Sequence, residues 1–340
     1  MRNPSEALSG DRNAPHDYFG YTDVVSYILG ITFEIWEQRQ VDTILDYYGA
    51  DIEVFSLEGI THGAREMVTG THATLEAFPD RLLLGDDIIW SGNLTCGFSS
   101  HRITSPMTNL GDTVFAPATG RTIRTMNIAD CEITNGQITG EWLLRDNLAL
   151  VNQLGVDTAE AAKKIADRMD DELQGWLRRE HQRTLSGVPA TASTLGEASP
   201  DRHETFARNT LTAAWSTGET TVLEQAYAPY AVLHRAPVRI FSGREDTLGH
   251  YAAWRKAFPD ARLTVDHVCS QPFGSNGSHV AARWSIAATQ QGQFANLSPS
   301  GRPVYIVGVT HWRLVNERIV VEWTVFDEIS LQAQLLAGIG

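Results

Sequence analysis

Hydrophobic positions along the chain follow a helical period in some segments and a strand period in others. Apolar residues recur at intervals of three or four over Tyr21–Tyr48 and Gly63–Phe78. This period predicts helices, the first stretch being broken near Gln38–Gln40 and the second closed by Pro79. Alternating and continuous apolar stretches predict strands in the rest of this half. The predicted strands are Ile52–Leu57, Leu82–Trp90, Thr95–Ile103, Thr122–Ile133 and Gln137–Leu144.

The second half of the chain repeats this order of elements. The same periods predict helices over Phe206–Trp215, Thr221–Tyr227 and Gly243–Phe258. Strands are predicted to follow at Leu263–Cys269, His279–Ala288, Val304–Leu314 and Arg318–Phe326. Helices followed by long antiparallel strands make each half an α+β domain, with one mostly antiparallel sheet that curves around its helices.

Short motifs show that the two halves are copies of one domain. Trp142 in Glu-Trp-Leu-Leu-Arg-Asp and Trp323 in Glu-Trp-Thr-Val-Phe-Asp are separated by 323 − 142 = 181 positions. The Phe-Pro-Asp motifs that begin at Phe78 and Phe258 are separated by 258 − 78 = 180. Solenoid repeats are about 20–50 residues long, so a separation this large indicates a whole duplicated domain.

The repeat and the intervening composition predict four regions. We expect a flexible arm at residues 1–20, a first domain at 21–155, a helix and linker at 156–202, and a second domain at 203–340. Within the connector, Asp157–Thr184 predicts one amphipathic helix whose apolar stripe packs on its own chain or forms a dimer contact. Asn135-Gly136 and Asn316-Glu317 predict hairpin turns before the last strand of each copy.

Charge and composition argue against several classes of partner. The formal net charge is −14, whereas nucleic acids and anionic membranes attract clusters of Lys and Arg. Three cysteines without close pairing fit a reducing compartment. The sequence lacks a signal-peptide core, an apolar run of about 18 residues and metal-ligand spacings, so we expect a cytoplasmic protein without a membrane span or metal site.

Asp146 and Asp327 end the repeated motif and are the leading candidates for chemistry. Alternation along a strand places each carboxylate on the same face as the tryptophan four residues before it. Burial against apolar walls raises the pKa of a carboxyl group, which suits a general acid or base near neutral pH. The alternative is structural, because an Asp after a strand often caps the next helix.

These motifs resemble the SnoaL-like polyketide cyclases, within the nuclear-transport-factor-2-like superfamily. The resemblance rests on Glu-Trp-x-x-x-Asp followed by Gln153-Leu154-Gly155, on the Gly-Arg before the penultimate strand, and on the helix that ends in Phe-Pro-Asp. It covers both copies, although the second ends in Gln334-Leu335-Leu336 without the glycine. The fold that it implies is two tandem cone-shaped α+β barrels, arranged as an internal pseudo-dimer that could oligomerise further.

The resemblance implies an enzyme that closes a ring in a polyketide ester by an aldol reaction, without a metal or an organic cofactor. The family's catalytic Asp matches Asp146 and Asp327, and His101 and His311 are candidates for the accompanying histidine although they do not occupy matched positions. We expect an apolar small-molecule substrate. The tryptophans expected to bind it are Trp36, Trp142, Trp215 and Trp323.

Two other functions fit the same sequence. The loosely kept motif in the second copy would suit a protein that binds an apolar small molecule without converting it. The fold also supports hydrolases and isomerases, so it does not by itself fix the reaction. A second carboxylate and an arginine inside the pocket would favour such an enzyme over a cyclase.

Overall fold

A computed structural model describes residues 18–190, 202–235 and 239–339 of the chain. The predicted arm therefore lies almost wholly outside the described residues, as do residues 191–201 of the predicted linker. The chain divides into two compact units: the first ends at Leu143, and the second comprises Leu57–Gly59 and Leu144–Gly340. The boundary predicted at residue 155 stays a prediction.

Each copy contains one six-stranded sheet with helices packed on it, so the predicted fold class of two tandem α+β domains is confirmed. The first copy contains helices α1 (Val24–Thr32), α2 (Ile44–Tyr47) and α3 (Gly63–Ala77), and strands β1 (Tyr48–Ser56), β2 (Gly59–His62), β3 (Leu84–Gly92), β4 (Cys96–Thr108), β5 (Thr122–Thr134) and β6 (Gln137–Arg145). Helices α4 (Asn147–Leu154), α5 (Thr158–Ala166) and α6 (Asp171–Leu185) follow.

The second copy repeats these elements. It contains helices α7 (Arg202–Thr212), α8 (Thr220–Ala226), α9 (Arg244–Ala257) and α10 (Glu328–Ala337), and strands β7 (Tyr227–His234), β8 (Ile240–Ser242), β9 (Arg262–Phe273), β10 (Gly277–Thr289), β11 (Pro303–Val315) and β12 (Arg318–Val325). The strand orders are β2-β1-β6-β5-β4-β3 and β8-β7-β12-β11-β10-β9. The two orders are the same at matched positions, which extends the sequence repeat to the topology.

Long hairpins make up most of each sheet. Strands β4 and β5 pair from Cys96 opposite Thr134 to Thr108 opposite Thr122, and β10 pairs with β11 in the same way. The first and last strands of each copy, β1 with β6 and β7 with β12, are parallel neighbours. Side chains alternate between the two faces of these strands. The face that packs on helices α1–α3 in the first copy and on α7–α9 in the second is called the inner face below, and the opposite one the outer face.

Both hairpin turns before the last strands are confirmed. Asn135 and Gly136 have φ of 51° and 75°, and Asn316 and Glu317 have φ of 49° and 62°. Positive φ at both central residues matches the twist of the flanking strands. Glycine adopts such angles without the steric cost that a side chain imposes, so the turn with Glu317 carries more strain than the turn with Gly136.

The connector differs from the single helix predicted over residues 157–184. It forms two helices, α5 and α6, because the Asp170 carboxylate caps the second one by accepting a hydrogen bond from the Leu173 amide at 2.8 Å. The predicted apolar stripe packs on its own chain within the second unit: Trp176 meets the Tyr305 ring edge-on at 5.5 Å.

Candidate functional site

Asp146 and Asp327 lie just beyond the last strands and cap the helices that follow. An Asp146 oxygen accepts a hydrogen bond from the Ala149 amide at 3.0 Å. Asp327 accepts from the amides of Ile329 at 2.9 Å and Ser330 at 3.0 Å. Capping is thus a role that both carboxylates perform, and the acid/base role stays a prediction.

Both oxygens of Asp327 have hydrogen-bond partners. In addition to its helix-capping bonds, Asp327 accepts from the Ser330 hydroxyl at 2.6 Å and from the Asn147 amide group at 2.7 Å. Burial, followed by the charge of Glu58, raises its pKa to about 7. Because four donors surround this carboxylate, it has little capacity left to take part in a reaction.

Asp146 has a free oxygen. Its Oδ2 is buried and has no hydrogen-bond partner among the described residues, and the whole residue is 6% exposed. Burial is the main cause that raises its pKa, to about 6. A carboxyl group with this pKa exchanges its proton close to neutral pH, as the sequence analysis expected of a general acid or base.

A buried ion-pair network within the second unit surrounds Asp146. Arg235 donates to Glu328 at 3.0 Å, Arg239 pairs with the same carboxylate, and the Arg235 guanidinium lies 4.1 Å from the centre of the Phe326 ring. Asp146, both arginines and Glu328 line a void of about 10 Å³. A void of this size has room for about one water molecule.

The glutamates of the repeated Glu-Trp motif lie on the inner faces, and the sequence analysis did not select them. Glu322 is fully buried and accepts hydrogen bonds from Tyr227 and Tyr251, from the Trp312 indole at 2.9 Å and from the Thr324 hydroxyl at 2.6 Å. The charge and hydrogen bond of Glu141 raise the pKa of Tyr48, after burial. Their repetition in both copies was the signal that could have identified them.

The tryptophans of this motif lie on the outer faces. Each is the strand neighbour of an inward glutamate, so it points the other way. Trp142 stacks on Phe55 at 5.4 Å, and Trp323 stacks on His234 at 5.6 Å. His311, which is opposite Trp323 in the sheet, shares that face. These three predicted site residues are therefore not on the inner faces.

The other predicted residues lie toward the helices. His101 is opposite Ala129, whose side chain packs against the core of the first unit, and burial lowers the pKa of this histidine to about 4. Trp36 follows α1 and lies 4.9 Å below the Arg81 guanidinium. Trp215, its counterpart, is fully buried. The catalytic and binding roles predicted for all of these residues stay predictions.

A larger cleft lies in the second unit away from Asp146. Its volume is about 680 Å³, within the range of about 300–1,000 Å³ that small-molecule pockets occupy. Phe206 and Asn209 of α7, Gln225 of α8 and the turn at Asn276 are among its walls. None of the predicted site residues lines this cleft.

Two further observations concern metals and membranes. Within residues 18–190, 202–235 and 239–339, no group of three His, Cys, Asp or Glu side chains is placed to hold a metal ion. No helix in those ranges is long and apolar enough to cross a bilayer.

The fold and the repeated motif define a tandem α+β protein with a buried carboxylate after the last strand of each copy. Residues 205–335, which make up most of the second copy, match the model of the SnoaL-like polyketide cyclase family. For residues 205–335, this match is to the family that the sequence motifs indicated, and it supports a cyclase-like function. The first copy shares the strand order of the matched copy.

Similar solved structures align with one copy's length of the chain. IdmH from Streptomyces antibioticus is 26% identical, with 40% of this chain and 99% of that one covered and a TM-score of 0.34. TsrD from Streptomyces laurentii is 21% identical, with 40% and 98% covered and a TM-score of 0.35. A SnoaL-like polyketide cyclase from Agrobacterium tumefaciens is 16% identical, with 40% and 100% covered and a TM-score of 0.35. No curated protein matches the chain significantly.

Proposed function

We propose that the protein is a cyclase-type enzyme that performs acid/base chemistry on an apolar small molecule, with Asp146 as the group that moves the proton. The observation that carries this proposal is the state of Asp146: it is buried, its pKa is raised to about 6, and its Oδ2 has no hydrogen-bond partner among the described residues. Asp327 lacks this freedom because both of its oxygens are bonded.

The chemistry of ring closure fits one such group. An aldol reaction begins when a base removes a proton next to a carbonyl, and the same group can return a proton to the new alkoxide. A substrate must displace a wall of the small void to reach Oδ2. Of the charged residues that line the void, Arg239 is the most exposed, with 36% of its side chain accessible. We therefore propose that this arginine moves when substrate binds.

Paired Asp-to-Asn variants test the assignment. Asparagine keeps the size of aspartate and still caps a helix, but it cannot act as a base. With an aromatic polyketide ester as substrate, Asp146→Asn is expected to lower kcat at least a hundredfold, whereas Asp327→Asn stays within about tenfold of the wild type. The wild-type kcat/KM is expected to rise with pH through about 6. Full activity of Asp146→Asn would disprove the mechanism.

A hydrolase or isomerase is the second candidate, and the surroundings of Asp146 favour it. A second carboxylate, Glu328, and two arginines share its water-sized void, and a held water could be activated there. Turnover in ¹⁸O-labelled water separates hydrolysis from an aldol ring closure. Hydrolysis places the label in the product, whereas an aldol ring closure forms a carbon–carbon bond and leaves that bond's atoms unlabelled.

A further inference from the structure

Matched positions on the inner faces of the two copies carry opposite chemistry. In β4 and β5 of the first copy, Ser99, His101 and Asn127 face the helices. Adding 181 to each number gives Val280, Ala282 and Gly308 in the second copy. The register supports this matching, because Ile103 is opposite Asn127 and Trp284 is opposite Gly308. Three polar side chains thus replace two apolar residues and a glycine.

Aromatic side chains fill the second copy at this place. The Trp284 ring lies where a Cβ on Gly308 would be, 2.4 Å away, so only glycine leaves room for it. Trp284 packs on Trp215 at 4.9 Å and on Phe326 at 6.1 Å. Trp254 closes the cluster at 5.1 Å from Trp215. This inner face is therefore occupied by the protein's own rings.

The first copy has small residues at the matched positions. Ile103 takes the place of Trp284, and Thr74, at 254 − 180, takes the place of Trp254. Cys131 likewise corresponds to Trp312, at 312 − 181. Replacing three indoles by such side chains frees volume at these positions, although Trp90 stands opposite Ser99 where the second copy has Ser270 opposite Val280.

Two polar atoms on this face of the first copy are buried without partners. Neither Ser99 Oγ nor His101 Nε2 has a hydrogen-bond partner among the described residues, although the two residues are 0% and 3% exposed. Buried polar groups are nearly always hydrogen-bonded, so each exception needs a reason. Alternate residues on a strand share a face and are about 7 Å apart, so one ligand can reach both side chains.

The region also has an apolar approach. A Cβ on Gly85 would meet Leu29 Cδ2 at 2.8 Å and His101 Nε2 at 2.9 Å, so the histidine lies below Leu29 at a glycine of β3. Leu29 is 43% exposed, and Leu84 next to that glycine is also 43% exposed. These two leucines form an exposed apolar surface beside the buried polar pair.

We propose that the inner face of the first copy is the ligand chamber of this protein. Ser99 and His101 bind a carbonyl or hydroxyl oxygen of an apolar polycyclic ligand there, with Asn127 beside them. The second copy is a filled scaffold. The first copy then supplies the binding of this ligand, and the aromatic cluster of the second copy supplies stability. This inference stands apart from the proposed function and does not depend on Asp146 being the base.

A pair of matched probes tests the chamber in the full-length protein. 9-Fluorenone and fluorene have the same three rings and differ in one carbonyl oxygen. A site built to hydrogen-bond that oxygen discriminates against the analogue that lacks it. We expect fluorenone to bind wild-type protein at least tenfold more tightly than fluorene, as measured by calorimetry. Absence of fluorenone binding up to its solubility limit, or equal binding of the two probes, would overturn the proposal.

Variants then locate the site. His101→Leu and Ser99→Ala are each expected to weaken fluorenone binding at least fivefold and to leave fluorene binding unchanged. The double variant Ile103→Trp/Asn127→Gly gives the first copy the tryptophan and glycine that the second copy has at Trp284 and Gly308. It is expected to abolish fluorenone binding. Circular dichroism checks that each variant is folded. If the double variant is unfolded, the fluorenone affinities of His101→Leu and Ser99→Ala decide the test. Wild-type affinity in both single variants would refute the assignment.

Controls in the second copy exclude other sites. Trp284→Ile and Gln225→Trp, the latter in the wall of the 680 Å³ cleft, are expected to leave fluorenone affinity within twofold. A loss in Gln225→Trp alone would place the ligand in that cleft and overturn the proposal. The chamber test measures fluorenone binding and the Asp146 test measures turnover, so a failure of the proposed mechanism is distinguishable from a failure of the chamber.

Discussion

Burial acts on Asp146 and Asp327 in the same direction but leaves them in different states. Each carboxyl group has a raised pKa because burial disfavours its charged form. Four donors satisfy Asp327, whereas Asp146 keeps a buried oxygen without a hydrogen-bond partner among the described residues. The same residue type at matched positions therefore keeps an oxygen without a hydrogen-bond partner at one site and is saturated with donors at the other, while both residues cap a helix.

The raised pKa of Asp146 makes stability depend on pH. Its pKa rises from 3.8 in the reference state to about 6 in the folded protein, so the folded state holds the proton more tightly. Stability from this group is full below about pH 4 and is lost as the pH rises through 6. At about 1.4 kcal/mol per pKa unit, the effect is of order 3 kcal/mol.

We therefore expect Asp146→Asn to gain stability relative to the wild type between pH 4 and pH 7, as measured by urea unfolding at each pH. Asp80→Asn is the control of opposite sign, because hydrogen bonds from Thr108 lower the pKa of the Asp80 carboxyl group and its contribution is lost as the pH falls. A relative stability of Asp146→Asn that does not change with pH would contradict the burial argument.

Glu322 is expected to be highly sensitive to substitution. Removing the Glu322 carboxylate leaves two tyrosines, an indole and a threonine hydroxyl without their buried acceptor. Glu322→Ala should lower the unfolding free energy by about 3–5 kcal/mol, measured by chemical denaturation. Glu322→Gln keeps one acceptor oxygen and should lose less. Equal losses in the two variants would show that packing, rather than hydrogen bonding, sets the effect.

Among the elements, the two matched hairpins show how one turn geometry tolerates different residues. Both turns use two residues with positive φ, but the second residue is Gly136 in one copy and Glu317 in the other. The exposed ion pair of Glu317 with Arg202 contributes little, because solvent screens it. The strain at Glu317 is therefore not offset at this site.

Reciprocal substitutions in the turns test this reasoning. Glu317→Gly should raise the unfolding free energy by about 0.5–1 kcal/mol, because glycine relieves the positive φ. Gly136→Ala should lower it by more than that, because the new Cβ would also lie 2.4 Å from the Tyr18 ring. Arg202→Gln controls for the ion pair. Thermal unfolding measures all three, and destabilisation by Glu317→Gly would contradict the argument.

At the scale of the whole molecule, the two copies have kept one topology and diverged in their interiors. The second copy is closed by contacts between aromatic rings, while the first keeps buried polar side chains on the matched face. A duplicated domain can diverge in this way because one copy alone can retain the ligand site. The other copy is then free to fill its interior and gain stability.

Emptying the filled interior should be costly. Trp284 is fully buried and its indole donates to the Thr310 hydroxyl at 3.0 Å. Trp284→Ala should lower the unfolding free energy by about 3–5 kcal/mol through the lost contacts and the cavity left behind, measured by guanidinium denaturation. Tyr230→Ala, at a residue that is 70% exposed, is the control and should change it by less than 1 kcal/mol. A similar loss in both variants would contradict a packed second interior.

The sequence by itself determined the duplication, the fold class and the elements, because residue spacing and hydrophobic period are local properties that survive without coordinates. It also identified Asp146, Asp327 and the hairpin at Asn135-Gly136. It failed to separate α5 from α6, where one capping aspartate interrupts a continuous helical period.

The tertiary structure decided which candidates are near one another and which atoms lack partners. It showed that Trp142 and Trp323 lie on the outer faces while Glu141 and Glu322 lie inside, and that Asp327 is saturated while Asp146 is not. It also showed that Ser99 and His101 of the first copy hold buried polar atoms without hydrogen-bond partners where the second copy has Val280 and Ala282. These properties depend on burial and on contacts between residues far apart in the chain, which no local pattern encodes.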